Sequence, residues 1–138
     1  MGKIAFELSN DLNELDGLCQ RLGQFCKAAG LEDKDRFHIN LALDEIFTNI
    51  ISHGLKDQRK HRIRITIQHC RNEVELTIED DGIPFNPLEL PVPDPHRPLN
   101  DRAVGGLGIS IIRAVMDQIR YQRRDGKNIL VLKKKLDT

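Results

Sequence analysis

The 138-residue sequence predicts an α/β (α+β) two-layer sandwich, in which one mixed, largely antiparallel sheet carries helices on one face. Segments in which every second residue is apolar predict strands, and longer segments with apolar residues three or four apart predict helices. Along the chain they follow the order strand, two helices, two strands, helix, two strands. We find no internal repeat, and this length is typical of one domain, so residues 1–138 are expected to form a single unit.

The first strand and two helices come from the N-terminal part of the chain. Apolar residues alternate over 4–8, which predicts a strand. A polar residue at position 10 or 11 is a favourable N-cap for the first helix, and Gly30 is a favourable stop. The second helix is expected to begin at Asp33 or Asp35 and to run to about His53, with Gly54 as its C-cap.

Two predicted hairpins provide the rest of the sheet, over residues 63–67 with 74–78 and over 119–124 with 128–134. The second hairpin turns at Asp125-Gly126, a strong turn signal. Between the hairpins, all six prolines fall from Pro84 to Pro98. Proline removes backbone donors, so this stretch is expected to be a long loop or lid, about residues 86–104, before a third helix.

Composition excludes several classes of protein. Lysine plus arginine equal aspartate plus glutamate at 21 each, which gives no argument for direct binding of nucleic acid or membrane. No apolar run approaches the roughly 20 residues of a membrane helix. Three cysteines without a Cys-x-x-Cys pair favour a reduced, cytoplasmic protein, and the five histidines lack the spacing of a zinc site.

Glu45 and Asn49 form the first candidate site, on the second helix. At about 100° per residue they lie roughly 40° apart, on the side away from the apolar stripe. A carboxamide oxygen suits Mg²⁺, and a nearby carboxylate can act as a base toward a hydroxyl. The alternative is an ordinary solvated helix face.

Asp80 and Gly82 form the second candidate site, directly after the predicted strand 74–78. Asp80 could accept a hydrogen bond from a nucleobase amine, and Gly82 would let the backbone approach the ring without a Cβ. The alternative is a simple turn, for which acidic residues and glycine are equally typical.

The third candidate site is the sequence Gly-Gly-Leu-Gly at 105–108, at the start of the third helix. Glycines are costly in a helix, and the exposed N–H groups of a helix start suit phosphate. A flexible linker is the alternative. The sequence matches neither a Walker A loop nor a dinucleotide fingerprint.

These three motifs, in this order, resemble the ATP-binding boxes of the GHKL ATPase superfamily. Residues 43–49, Leu-Asp-Glu-Ile-Phe-Thr-Asn, resemble its N box. Residues 80–87, Asp-Asp-Gly-Ile-Pro-Phe-Asn-Pro, resemble its first glycine box, and residues 105–109 resemble its second. The Pro-Phe-x-Pro ending and the chain length are similar to one branch, the anti-sigma-factor serine kinases. The resemblance covers essentially the whole chain and implies the Bergerat ATP-binding fold.

The resemblance implies ATP and Mg²⁺ as cofactors and a role for each candidate residue. Asn49 would coordinate the Mg²⁺ that bridges the phosphates, and Glu45 would orient or deprotonate the attacking hydroxyl. Asp80 would bind the adenine amino group, and Gly82 would pass close to the base. On the phosphate side the implied candidates are Gly105, Gly106, Leu107, Gly108, Ser110 and a lid arginine, Arg102 or Arg97.

Two features depart from the branch pattern. Ser110 stands where the branch more often has a bulky apolar residue, and serine there is common in sensor histidine kinases of the same superfamily. A histidine kinase also needs a helix pair with a phospho-accepting histidine, for which we expect no room in this chain. The lid is unusually rich in proline, so its partner contacts are expected to differ.

The resemblance implies a serine/threonine kinase that phosphorylates a small antagonist protein and sequesters a sigma factor, with a homodimer as a further possibility. A second hypothesis is a regulatory module that binds nucleotide and holds a partner without significant phosphotransfer. A third is a structural domain that binds no nucleotide. Thermal stabilisation by Mg·ATP would argue against the third, because a ligand bound only by the native state raises stability.

Overall fold

The structure, a computed structural model, describes residues 2–55, 57, 59–89 and 106–136, with the backbone alone for 106–108. A five-stranded sheet has the order β1-β2-β3-β5-β4, and every pairing among these strands is antiparallel. The predicted two-layer α+β fold is confirmed. The strands are β1 (Gly2–Ser9), β2 (Arg62–Cys70), β3 (Glu73–Asp80), β4 (Gln118–Arg124) and β5 (Lys127–Lys135).

One face of the sheet carries the hydrophobic core. The register places Ile65 opposite Ile78 and Leu76 opposite Leu132, so the buried apolar side chains of neighbouring strands lie on the same face. Three helices pack there, α1 (Leu15–Ala29), α2 (Asp33–Asn49) and α3 (Gly106–Val115). None of the described helices is long and apolar enough to cross a membrane.

The first helix begins later than the sequence predicts. Asp11 accepts a hydrogen bond from the Asn13 backbone N–H at 2.9 Å and caps a short 3-10 helix, Leu12–Glu14, that precedes α1. The other end of α1 is as predicted: Gly30 has φ +72° and donates its N–H to the last turn. A left-handed residue at this place is the usual reason for glycine after a helix.

The end of the second helix differs from the prediction. The α-helix stops at Asn49, and Ile50–Gly54 continue it as one turn of π-helix. The N–H of Leu55 bonds the carbonyl of Ile50 at 3.1 Å, a five-residue step. Gly54 is therefore the last residue of the π turn and not the C-cap.

The C-terminal hairpin is confirmed, and it places β5 beside β3. Asp125 and Gly126 both have positive φ, 52° and 75°, as a type I′ turn requires. The pairing of β3 with β5 sets Asp80 opposite Asn128. Two residues that are far apart in the sequence thus become neighbours at the end of the sheet.

Candidate functional site

The side of α2 that carries Glu45 and Asn49 is not an ordinary solvated face. Asn49 is 1% exposed and Glu45 is half-buried. The Nδ2 atom of Asn49 is buried and has no hydrogen-bond partner among the described residues. Most buried polar atoms in proteins are paired, so an unpaired amide nitrogen marks a place where a bound polar group would be stabilised.

Asp80 lies at the end of β3 and is 5% exposed. Its Oδ1 accepts the N–H of Gly82 at 2.9 Å and the Nδ2 of Asn128 at 3.0 Å. Among the described residues both bonds to this carboxylate end on Oδ1, which leaves Oδ2 for another partner. The hydrogen bond from the Gly82 N–H closes the simple turn that was the alternative prediction for this site. Asp80 takes part in this turn through Oδ1 and still has Oδ2 for another partner.

The carboxylate of Asp80 balances two opposing effects. Burial raises its pKa above the usual value, because the charged form is desolvated. The hydrogen bonds from Asn128 and Gly82 act in the opposite direction, because they stabilise the charged form.

Asn128 holds the loop that follows Asp80. Its Nδ2 donates to Asp80 Oδ1 and to the carbonyl of Ile83, the latter at 2.8 Å. Its Oδ1 accepts the Phe85 N–H at 3.2 Å and the hydroxyl of Tyr121. Asn128 and Tyr121 could not be identified from the sequence, because only the pairing of β3 with β5 brings Asn128 beside Asp80.

A side chain at position 82 would clash with neighbouring atoms of the protein. A Cβ built on it would lie 2.4 Å from the Gly54 carbonyl oxygen and 2.8 Å from Leu55 Cδ2. The N–H of Ile83 donates to the same Gly54 oxygen at 3.2 Å, and Arg123 donates to the Gly82 carbonyl at 2.7 Å. The close approach is thus to the end of the π turn, and contact of Gly82 with a base stays a prediction.

This joint between Gly54 and Gly82 brings the first two candidate sites together. The π turn follows directly on Asn49, and the loop 81–85 follows directly on Asp80. The rings of His53 and Phe85 also stack, with centroids 5.4 Å apart and planes 27° apart. The segments that directly follow the two polar sites are therefore in contact with each other.

The third candidate site lies partly outside the described residues. Gly106, Leu107 and Gly108 form the first turn of α3, which contacts α2. Ser110 is half-buried in the same helix. The predicted Gly105, Arg97 and Arg102 lie outside the residues that the structure describes.

The start of the predicted lid is described only over 86–89. There Pro87–Glu89 form a short 3-10 helix, and Asn86 Oδ1 accepts the Leu88 N–H at 3.0 Å. Arg113 of α3 donates to the Leu88 carbonyl at 3.0 Å. One side chain of the third helix thereby fixes the point from which the lid departs.

Residues 8–134 match the sequence profile of the histidine kinase-like ATPase domain. The chain belongs to this family. The predicted GHKL resemblance is confirmed, and the relatives of this ATPase domain are serine/threonine kinases and anti-sigma factors.

One relative is the serine/threonine-protein kinase BtrW of Bordetella bronchiseptica, 38% identical over 97 residues, which cover 70% of this chain and 68% of the relative. Another is the anti-sigma F factor of Clostridium perfringens, 28% identical over 101 residues, with 72% of each chain covered. Both are similar in length to this ATPase domain.

A solved structure has the same fold. It contains the RsbU and RsbW domains of a Mycobacterium tuberculosis protein and superimposes with a TM-score of 0.70 at 17% identity. The match covers 99% of this chain but 33% of that one, so this ATPase domain corresponds to about a third of that protein.

A second polar cluster contacts the first glycine box of this ATPase domain through Asp81. His61 Nδ1 lies 2.7 Å from Asp81 Oδ1, and His61 Nε2 lies 2.8 Å from Asp57 Oδ1. The pKa of His61 is raised, first by the hydrogen bond with Asp57 and then by that with Asp81. The pKa of Asp57 is lowered, with the bond to His61 as the largest cause.

We expect this His61 bridge to make the stability of the ATPase domain depend on pH. The folded state holds the His61 proton more tightly than the unfolded chain, so the contribution is complete below the unfolded pKa of about 6.5. It is lost as the pH rises through the higher folded value. At acidic pH the contribution of the bridge decreases again, because Asp57 takes up a proton and loses its charge. His61→Gln should therefore lower the free energy of unfolding at pH 6 and much less at pH 9, in urea titrations.

Asp81→Asn is the matched variant for this test. It removes one of the two carboxylates and leaves Asp57, so the pH-dependent part should shrink without vanishing. An equal loss at pH 6 and pH 9 for His61→Gln would contradict the bridge as a proton-dependent contact.

Proposed function

We propose that this chain is an ATP-dependent serine/threonine kinase that phosphorylates a small antagonist protein and, when free, sequesters a sigma factor. The observation that carries the proposal is the buried Asn49 side chain, whose Nδ2 has no hydrogen-bond partner among the described residues, one helical turn from Glu45. The kinase and anti-sigma names of the relatives support the activity class. Partner switching follows if the two proteins compete for the same surface.

Asn49 fits a magnesium role in this proposal. The exchange of oxygen and nitrogen by rotation of the carboxamide lets the unpaired position present an oxygen, the ligand that Mg²⁺ prefers. The ion would supply charge neutralisation at the ATP phosphates. The Asn49 side chain, already buried and fixed by the helix, would hold it with little loss of conformational entropy.

Glu45 would act on the acceptor hydroxyl of the antagonist. It is half-buried and shares a helix side with Asn49, so the carboxylate would lie near the phosphate that Asn49 helps to hold. A carboxylate there can orient the hydroxyl and take its proton as the phosphoryl group is transferred. Phosphoryl transfer needs mainly such positioning and charge neutralisation.

Asp80 and α3 would bind the two ends of the nucleotide. Asp80 Oδ2 would accept from the adenine amine, because Oδ1 is already used. The first turn of α3 would offer backbone N–H groups and a positive helix end to the phosphates. Gly105 and a lid arginine, Arg102 or Arg97, would complete the phosphate side.

The biological setting belongs to the same proposal. The partners would be the antagonist and a sigma factor or similar regulator in the cytoplasm, with the kinase acting as a homodimer. No direct contact with nucleic acid or membrane is part of the proposal.

The test of the proposal begins with magnesium-dependent binding. Asn49→Ala is expected to weaken Mg·ATP by about 10- to 100-fold, the factor that corresponds to losing one interaction with a charged group. Isothermal titration with Mg²⁺ and with EDTA measures it. The affinity of the variant should no longer depend on the ion.

Asn40→Ala is the control on the same helix. Asn40 is half-buried and donates a hydrogen bond to Asp44 at 3.4 Å. Its replacement by alanine should leave the magnesium dependence of ATP binding unchanged. Wild-type binding that is insensitive to EDTA would remove the metal role. Absence of any binding by wild type at millimolar Mg·ATP would end both the kinase proposal and the hypothesis of a regulatory module that binds nucleotide.

A further inference from the structure

We infer that Asn128 is a positioning residue for the nucleobase: it holds Asp80 as an oriented acceptor, so that only Oδ2 is offered to the amine of adenine. The inference rests on the proposed function and adds a residue from the last strand to it. Asn128 would not touch the nucleotide itself. It would act entirely through Asp80.

The orientation of the Asn128 carboxamide is fixed by its partners. The Phe85 N–H can only donate, so the atom that it contacts must be the oxygen. The Ile83 carbonyl can only accept, so the atom that it contacts must be the nitrogen. Asn128 therefore has to present a donor to Asp80, and rotating the amide would break both contacts.

The carboxamide of Asn128 has no capacity left for a ligand. It is 4% exposed, and its two N–H groups go to Asp80 and Ile83. Its oxygen accepts from Phe85 and Tyr121, which fills both lone pairs. A residue that is saturated in this way affects binding only through the groups that it holds.

The bond from Asn128 also favours the charged form of Asp80 over the neutral form. Burial favours the neutral carboxyl, and Asn128 is the largest opposing influence on the pKa of Asp80. The Gly82 N–H and Arg123 act in the same direction as Asn128, whereas the charge of Asp81, itself bonded to His61, acts against it. A neutral carboxyl that pointed its own proton at the adenine amine would place two hydrogen-bond donors against each other.

Asn128→Asp is the sharpest variant, because it is nearly isosteric and replaces the donor nitrogen that serves Asp80 and Ile83 by an acceptor oxygen. The new carboxylate can still accept from Phe85 and Tyr121, but it faces Asp80 with an acceptor. Two adjacent buried carboxylates share one proton at lower pH. That proton would again supply a donor toward Asp80 Oδ1.

The expected result has two parts, both from isothermal titration with Mg²⁺ present. At pH 9, Asn128→Asp should bind ATP at least about tenfold more weakly than wild type, and at pH 6 much of that ratio should disappear. Purine riboside triphosphate, which lacks the amine, should show a much smaller ratio between the two proteins at pH 9.

Two further variants keep the inference testable if Asn128→Asp does not fold. Asn128→Thr retains one hydroxyl donor for Asp80 and should keep most of the ATP affinity. Tyr121→Phe removes one donor to the Asn128 oxygen. It should also lower the affinity for ATP, by a smaller factor than Asn128→Asp.

The inference is overturned if Asn128→Asp lowers the affinity for ATP and for the amine-free analogue by the same factor. It is also overturned if the affinity for ATP falls by the same factor at pH 6 and at pH 9. Either result would mean a purely structural role. Unchanged ATP affinity at both pH values would overturn it as well. Failure of wild type to bind Mg·ATP is a separate result, which removes the proposed function instead.

Discussion

Glu45→Gln is expected to bind Mg·ATP with nearly wild-type affinity and to transfer phosphate about 10²- to 10⁴-fold more slowly, the usual contribution of a general base. Glutamine keeps the size of the side chain and loses the capacity to take a proton. The measurement pairs isothermal titration of Mg·ATP with single-turnover transfer of labelled phosphate to a candidate antagonist protein.

Asp44→Asn is the control, because it changes the adjacent carboxylate on the same helix. Asp44 is half-buried, and its pKa is raised, first by burial and then by the charge of Glu45. We expect this variant to keep transfer close to the wild-type rate. Equal rates for Glu45→Gln and wild type would remove Glu45 as the base, and wild-type binding without transfer would favour the regulatory module.

Gly82→Ala is expected to lower the free energy of unfolding by about 1–3 kcal/mol, the usual cost of forcing extra atoms into a packed site. The new Cβ would lie 2.4 Å from the Gly54 carbonyl oxygen and 3.0 Å from Asp80 Oδ1, and the first of these atoms belongs to the backbone. Relief therefore requires the loop to move, so ATP affinity should fall as well. Urea unfolding gives the midpoint and slope.

Gly17→Ala is the matched substitution in an open position. Nothing lies within 4 Å of the Cβ that it would add, and Gly17 is inside α1. Alanine there should raise stability by about 0.5–1 kcal/mol, because glycine is unfavourable in a helix interior. Equal stabilities for Gly82→Ala and wild type would show that the joint between Gly54 and Gly82 is looser than its distances indicate.

The sheet and its motifs could be predicted from the sequence because each leaves a local trace. Alternation over β2 and β3 marks buried and exposed positions two residues apart, and the Asp125-Gly126 pair is suited to two positive φ angles. The order of the three candidate sites also survives in the fold, with Asn49 ending α2 and Asp80 ending β3.

The contacts around these sites could not be predicted in the same way. Asn128 is 48 residues from Asp80 in the sequence and becomes its neighbour only through the order of the strands. A helical wheel places Asn49 beside Glu45 but does not show what covers it, so its burial was not foreseen. The π turn over 50–54 has no single residue that imposes the five-residue step.

The joint between Gly54 and Gly82 also limits how the molecule can change shape. The Gly54 carbonyl oxygen accepts the Ile83 N–H and occupies the space that a side chain at position 82 would need. The π turn that follows Asn49 and the loop that follows Asp80 are therefore coupled, because a shift of one segment requires a shift of the other. A movement that separated these two segments would have to break the bond from Ile83 to the Gly54 oxygen.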